Sequence, residues 1–432
     1  MRHAILAVLA FLALAPLALL APSPVAADGG LGQPLATPVG TFGGIAYVQY
    51  DGIFEGQTST GAYRVPYRIT APADSSLANE TVLVEPSHHS IGLGALNIYL
   101  RRDFLFSRGF VHAGIGWSTI NRRILDPSVP GTFIEGGFHE YGGKTDDEII
   151  VDFARALAVD PEAALMLGHV ARRYVTGFSD TSYPVLRLVK SGRAAGVFDF
   201  ALPFITEEFD PQTPLDPQAA LGAGRYRGKL IIVNSEAEDP TGLLDSGTVP
   251  NQYRFYAVAG TPHVADPLDV RSRANRTTPA TYEPALRAHF LQGHRWVQQG
   301  TSPPPSTHLR TFRTSHGKKL DRDANGNAIS VDASGQLVPR LPFIELGEAR
   351  FISGFHGSYE GVKTIQDLGF ASHHEYVKAF AEKLADYAKA GYILKEDVDA
   401  MRRRAALCPP LTFTETYRDH YEAFTAIIPC GD

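Results

Sequence analysis

Arg173-Tyr174-Val175-Thr176-Gly177-Phe178-Ser179-Asp180-Thr181-Ser182 is the stretch on which the fold turns. Arg173 to Thr176 reads as a short strand running straight into Gly177, and Tyr183 to Lys190 beyond it is helical. A serine in such a strained turn needs small residues two before and two after it, so that strand and helix can approach. Gly177 meets that demand fully and Thr181 in part. The helix points its N-terminus at Ser179, where the backbone N–H of Asp180 can stabilise an oxyanion. Ser179 is the candidate nucleophile. Ser182 is a competing hydroxyl, but it falls inside the helix and is expected to point away.

Working outward, strand-like runs occupy 44–50 with a continuation to Phe54, 63–69, 81–85, 110–117, 196–205, 229–234 and 253–259. Helical spacing covers 96–108. Thr145 and Glu148 form a capping box, followed by Ile149, Ile150, Phe153 and Leu157 on one face. A short helix is expected at 161–167. Strands alternating with helices, and apolar along their length, predict an α/β protein with a mostly parallel, doubly wound sheet covered on both faces. Residues 28–43 read as a Gly- and Pro-rich tether, and 44–300 as the core. An insertion at about 206–227 and the stretch past Gly300 are expected to cap the site, which suggests a bulky substrate. Residues 301–432 comprise a Pro- and Gly-rich segment and a helical C-terminal extension. Within that extension, Ser372 and Glu375 form a capping box before a stripe of Tyr376, Phe380, Leu384 and Tyr387, and Gly391 stops the helix.

Chain order then assigns the partners of Ser179, because a sheet that carries a nucleophilic serine on such a strand-to-helix turn places the acid, then the histidine, after later strands. One strand ends at Ser235 and is followed by Glu236-Ala237-Glu238-Asp239; the next ends near Gly260 and is followed by Thr261-Pro262-His263. An imidazole with an ordinary pKa near 6.5 can take the serine proton and return it to the leaving group. Glu238, three residues past the strand end, is the expected orienting carboxylate; Glu236 is the alternative and Asp239 a weaker third. The second oxyanion donor should come from the loop Glu85-Pro86-Ser87-His88-His89-Ser90, at a backbone N–H near Ser87 or His88. No HExxH or tight His/Asp cluster argues for a metal, and no cofactor is expected.

Bulk properties narrow the class. Met1-Arg2-His3, the apolar run Ala4 to Leu20 and the small residues Val25-Ala26-Ala27 read as a secretory leader cut near Ala27, which predicts export. No second stretch is apolar enough to span a bilayer. The net charge of −6 becomes one unit more negative when Arg2 leaves with the leader, which opposes polyanion binding and argues against nucleic acid as a partner. The two cysteines, Cys408 and Cys430, read as one disulfide stapling the tail, worth roughly 3 kcal/mol. Asp321, Asp323, Asn325, Gly326 and Asp332 match much of a calcium loop by spacing, but without flanking helices they read as a plain Asx/Gly turn.

These residues resemble a family of bacterial exported α/β-hydrolase-domain proteins with G-x-S-Q-S-G at the elbow, S-E-x-D after a later strand and W-E-V-A-G-T-x-H before the base. Here residues 177–182 read GFSDTS, 235–238 SEAE and 255–263 FYAVAGTPH; A-G-[YF]-[IL]-L-x-x-D is matched from Ala390 to Asp397. The resemblance implies an α/β-hydrolase fold, Ser179 as nucleophile, His263 as base and position 238 as acid. It departs at Asp180 for Gln, Ser182 for Gly and Glu238 for Asp. The expected activity is a serine esterase acting on a small-molecule ester. Amide hydrolysis, acyl transfer to an alcohol, or a binding protein with a disabled site are the alternatives.

Overall fold

The computed structural model describes residues 29–58, 61–88, 92–94, 96, 99–100, 102–117, 123–125, 133–135, 144–206, 216–238, 243–264, 278, 280–315 and 317–407. The predicted leader, Cys408, Cys430, His89, Ser90 and Asp239 lie outside them.

Twelve strands form one sheet. They are β1 (Gly30–Leu31), β2 (Leu35–Phe42), β3 (Ile45–Thr58), β4 (Gly61–Pro72), β5 (Thr81–Pro86), β6 (Val111–Ile115), β7 (Arg172–Phe178), β8 (Phe200–Phe204), β9 (Lys229–Ser235), β10 (Tyr253–Val258), β11 (Thr307–Leu309) and β12 (Ser330–Asp332). The order across the sheet is β1-β3-β4-β6-β5-β7-β8-β9-β10-β11-β12, with β2 also paired to β3. From β6 to β11 all neighbours are parallel, while β3, β4 and β12 pair antiparallel. This is the mostly parallel α/β architecture that the strand–helix alternation predicts.

Side chains alternate across each strand, so both faces must be covered. On one face Tyr174, Phe178, Phe200, Phe204, Ile231, Val233 and Tyr256 are buried under helix α3 (Glu283–Gln299) and the C-terminal helices α4 (His373–Lys389) and α5 (Lys395–Leu407). On the other, Val175, Ala201, Leu230, Ile232 and Phe255 pack against α1 (Lys144–Val159) and α2 (Ser182–Ser191). Inside the α3–tail contact, Arg287 meets Asp397 at 2.9 Å and Glu283 at 3.6 Å.

Three expectations need correction. The predicted tether is largely strand: β2 pairs along β3, and Gly43-Gly44, at φ of 57° and 87°, make the tight turn between them. A two-residue Gly-Gly turn with positive φ matches the twist of a hairpin. Residue 300 is not the edge of the core either, because β11 and β12 continue the same sheet. The described part of the expected 206–227 cap belongs to the covering layer, since Leu221 and Tyr226 are buried with Val185 and Leu186. Among the described residues, the stretch with helical spacing at 96–108 is helical at Leu96, at Tyr99 and over Arg102–Phe106, as that spacing predicts.

Candidate active site

The chain leaves β5 toward one side of the sheet, to β6, and returns to β7 on the other. The C-terminal ends of β5 and β7 therefore lie at a topological switch point, the place where doubly wound sheets bind ligands. Ser179 follows β7 directly and His88 follows β5.

Ser179 has φ +52°, a conformation uncommon for a side chain-bearing residue. A single 3-10 turn, Ser179–Thr181, then leads into α2. A Cβ at Gly177 would lie 2.2 Å from the Thr181 carbonyl oxygen, which is why glycine stands there. Thr181 is accommodated because its Oγ1 turns back, accepting from Phe178 N–H at 2.9 Å and donating to the Phe178 carbonyl at 2.9 Å. The Ser182 hydroxyl donates to the Ser179 carbonyl at 2.5 Å, so it is spent within the turn.

His263 Nε2 lies 2.8 Å from Ser179 Oγ, and its Nδ1 lies 2.8 Å from Glu238 Oε1. The other Glu238 oxygen accepts from Ser235 N–H at 2.9 Å and Ser235 Oγ at 2.6 Å. An ionised carboxylate only accepts, so Glu238 fixes the proton on Nδ1 and turns Nε2 toward the serine as an acceptor. Tyr282 Oη donates to the His263 carbonyl at 3.3 Å.

Glu236 points elsewhere. Its oxygens accept from Gly260 N–H at 2.7 Å, Arg322 at 2.8 Å and Ser353 Oγ at 3.2 Å. It ties the loop before His263 to the C-terminal region and does not meet the imidazole.

The loop after β5 requires a correction. Ser87 N–H donates to the Ile115 carbonyl at 2.8 Å and His88 N–H to the Gly92 carbonyl at 2.9 Å. Both amides are committed, so neither is the second oxyanion donor that loop position predicted; residues 89–91 are outside the described residues. The His88 side chain instead faces the elbow, with Nε2 2.8 Å from Asp180 Oδ1. Below it the loop is anchored by buried Glu85, which meets His112 Nε2 at 2.7 Å and accepts from Leu96 N–H at 2.9 Å.

Among the described residues no group of three His, Cys, Asp or Glu is placed to hold a metal. The calcium-like loop has its oxygens engaged otherwise. Asp321 meets Arg310 at 2.7 Å, Asp323 meets Arg340 at 3.0 Å, and Asp332 accepts from Ser334 N–H at 2.8 Å and Gln336 N–H at 3.0 Å. No helix among the described residues is long and apolar enough to cross a membrane.

Sequence reading missed the contribution of residues 353–357. The Gly354-Phe355-His356-Gly357 stretch is the signal that could have found it, because paired glycines mark a tight turn. Phe355 stacks on the His263 imidazole, with ring centroids 4.9 Å apart and planes 16° from parallel.

Residues 48–403 match the alpha/beta hydrolase domain family. No curated protein sequence matches the chain. Solved structures with some likeness include an S-formylglutathione hydrolase from Agrobacterium tumefaciens, at 13% identity and a TM-score of 0.32, covering 52% of this chain and 91% of that one. An S-formylglutathione hydrolase from Staphylococcus aureus matches at 13% identity and TM-score 0.30, covering 49% and 90%. A glucuronoyl esterase from Solibacter usitatus matches at 13% and 0.31, covering 51% and 71%. At these scores the likenesses carry no inference about the reaction.

Proposed function

The chain belongs to the alpha/beta hydrolase domain family, and on that premise we propose that it is an exported serine hydrolase cleaving carboxylic esters through an acyl-serine intermediate. The observation that carries this reading is the pair of 2.8 Å contacts joining Ser179, His263 and Glu238 in one line. Ser179 Oγ attacks the ester carbonyl carbon while its proton passes to His263 Nε2. The resulting oxyanion is held by the Asp180 N–H, in the 3-10 turn that leads into α2. Collapse breaks the bond to the alcohol oxygen, which leaves with the proton from Nε2. Water then repeats the sequence on the acyl-serine, its proton going to Nε2 and on to Ser179 Oγ as the acid is released. Glu238 keeps the imidazole tautomer and stabilises the imidazolium without itself taking a proton. Export rests on the leader-like residues 1–27.

A p-nitrophenyl ester series tests it. The wild type should turn over esters, and Ser179→Ala and Glu238→Gln should each lower kcat by about 10⁴-fold or more. Glu236→Gln, which touches only the clamp, should stay within about tenfold. Collapse of the Glu236 variant with survival of the Glu238 variant would reverse the assignment of the acid.

A further inference from the structure

The loop bearing His263 is laid against the C-terminal region by two backbone hydrogen bonds. His263 N–H donates to the Gly354 carbonyl at 2.9 Å and Val264 N–H to the Phe355 carbonyl at 2.8 Å. The approach is close: a Cβ at Gly357 would lie 2.7 Å from Thr278 Cγ2 and 2.9 Å from Pro262 Cβ. Glu236 holds the base of the same turn through Ser353 Oγ at 3.2 Å. Phe355 is thus fixed parallel to the imidazole, yet 62% of it remains exposed. A large aromatic ring held rigidly beside a candidate catalytic base, but not buried in the core, presents its surface to whatever occupies the site.

The proposed reaction determines what that is. In acylation His263 Nε2 delivers its proton to the departing alcohol oxygen, so that oxygen must come within hydrogen-bond reach of Nε2. The group carried by that oxygen then lies beside the imidazole, where Phe355 stands. Resting on the hydrolase reading above, we propose that Phe355 forms the leaving-group subsite and selects esters whose alcohol portion carries an aromatic ring. Offset stacking between two aromatic rings exceeds what apolar area alone provides, so the ring of the alcohol is distinguished from an aliphatic group of equal bulk.

The test compares benzyl, cyclohexylmethyl and ethyl esters of one acid, the acyl group the wild type prefers in the p-nitrophenyl series. For such a set kcat/KM reports acylation, and the ratio of ratios between wild type and variant cancels the intrinsic reactivity of each ester. Phe355→Ala should lower the benzyl-to-ethyl preference about three- to tenfold and the cyclohexylmethyl-to-ethyl preference less, with Phe355→Trp retaining both. Fluorophosphonate labelling of Ser179, by a probe without an aromatic leaving group, reports only the effect of the stack on the imidazole; in Phe355→Ala it should slow by less than the benzyl ester rate falls. An equal loss on all three esters, with slower labelling, would reduce Phe355 to a brace for the imidazole and overturn the subsite. An unchanged preference, or equal loss on both ring esters, would overturn the aromatic assignment. Wild type inert on every ester and unlabelled at Ser179 would instead remove the hydrolase reading, and the subsite with it.

Discussion

Glu236 and Glu238 are two residues apart on one turn, yet they do unrelated things. Glu238 meets the imidazole, while Glu236 is drawn to Arg322 and Ser353. Residue spacing past a strand end favoured Glu238, but nothing local could reveal what occupies the other carboxylate, because Arg322 is 86 residues away. His88 illustrates the same limit: loop position nominated its N–H, and only the fold discloses that Gly92 has taken it. A different buried carboxylate makes a prediction at this scale. Burial pushes the Glu348 carboxyl up from an ordinary 4.5 to about 7, with the Tyr376 hydroxyl at 2.9 Å opposing the shift in part. The folded-state pKa lies above the unfolded one, so the folded state holds the proton more tightly. The corresponding stability is fully present below about pH 4.5 and is lost as pH rises to about 7, amounting to about 3 kcal/mol. Glu348→Gln keeps an acceptor for Tyr376 and removes the titration. In urea unfolding, the variant should gain on the wild type progressively between pH 5 and pH 8; parallel profiles would show that Glu348 titrates normally.

At the scale of elements, the alternation of apolar strands with helices made the parallel block legible, and the elbow stretch placed β7 and α2 within a residue or two of their bounds. What escaped was short or ambiguous. β11 and β12 have three residues each, too few to express a period of two. β2 carries Pro38 and a bulge between Pro38 and Gly40, marks that read as a tether and that also suit an edge strand. The C-terminal helices were visible as a pattern, but their attachment was not. It rests on α3 and α5 through Arg287, which is buried against Asp397. A buried ion pair contributes little net stability over an apolar pair, whereas removing one partner leaves a charge uncompensated. Asp397→Ala is therefore expected to cost about 3 to 5 kcal/mol in thermal or urea unfolding. A loss under about 1 kcal/mol would mean that Glu283, at 3.6 Å, suffices to hold Arg287.

At the scale of the molecule, the chain beyond residue 300 is part of the machine that holds the candidate base. It supplies two strands of the sheet, the Arg322 and Ser353 partners of Glu236, and the turn that backs the His263 loop. The fold class was readable because it depends on repeated local patterns. The dependence of His263 on a segment some ninety residues later was not, because it arises from closure of the whole chain. The prediction at this scale is that a chain ending at residue 300 does not yield a labelled, active core. It would expose the sheet edge at β10 and the face now under α4 and α5, and unpaired edges and bare apolar faces favour aggregation. Recovery of a soluble, fluorophosphonate-reactive 28–300 fragment would contradict it.

The most direct measurement of the central claim is mass-spectrometric mapping of a fluorophosphonate adduct on the folded protein, alongside Ser179→Ala and His263→Ala. The account predicts one adduct, on Ser179, absent from the Ser179 variant and strongly slowed in the His263 variant, because only a serine paired with a base at 2.8 Å is activated. An adduct on Ser182 or elsewhere, or equal labelling with and without His263, would contradict it.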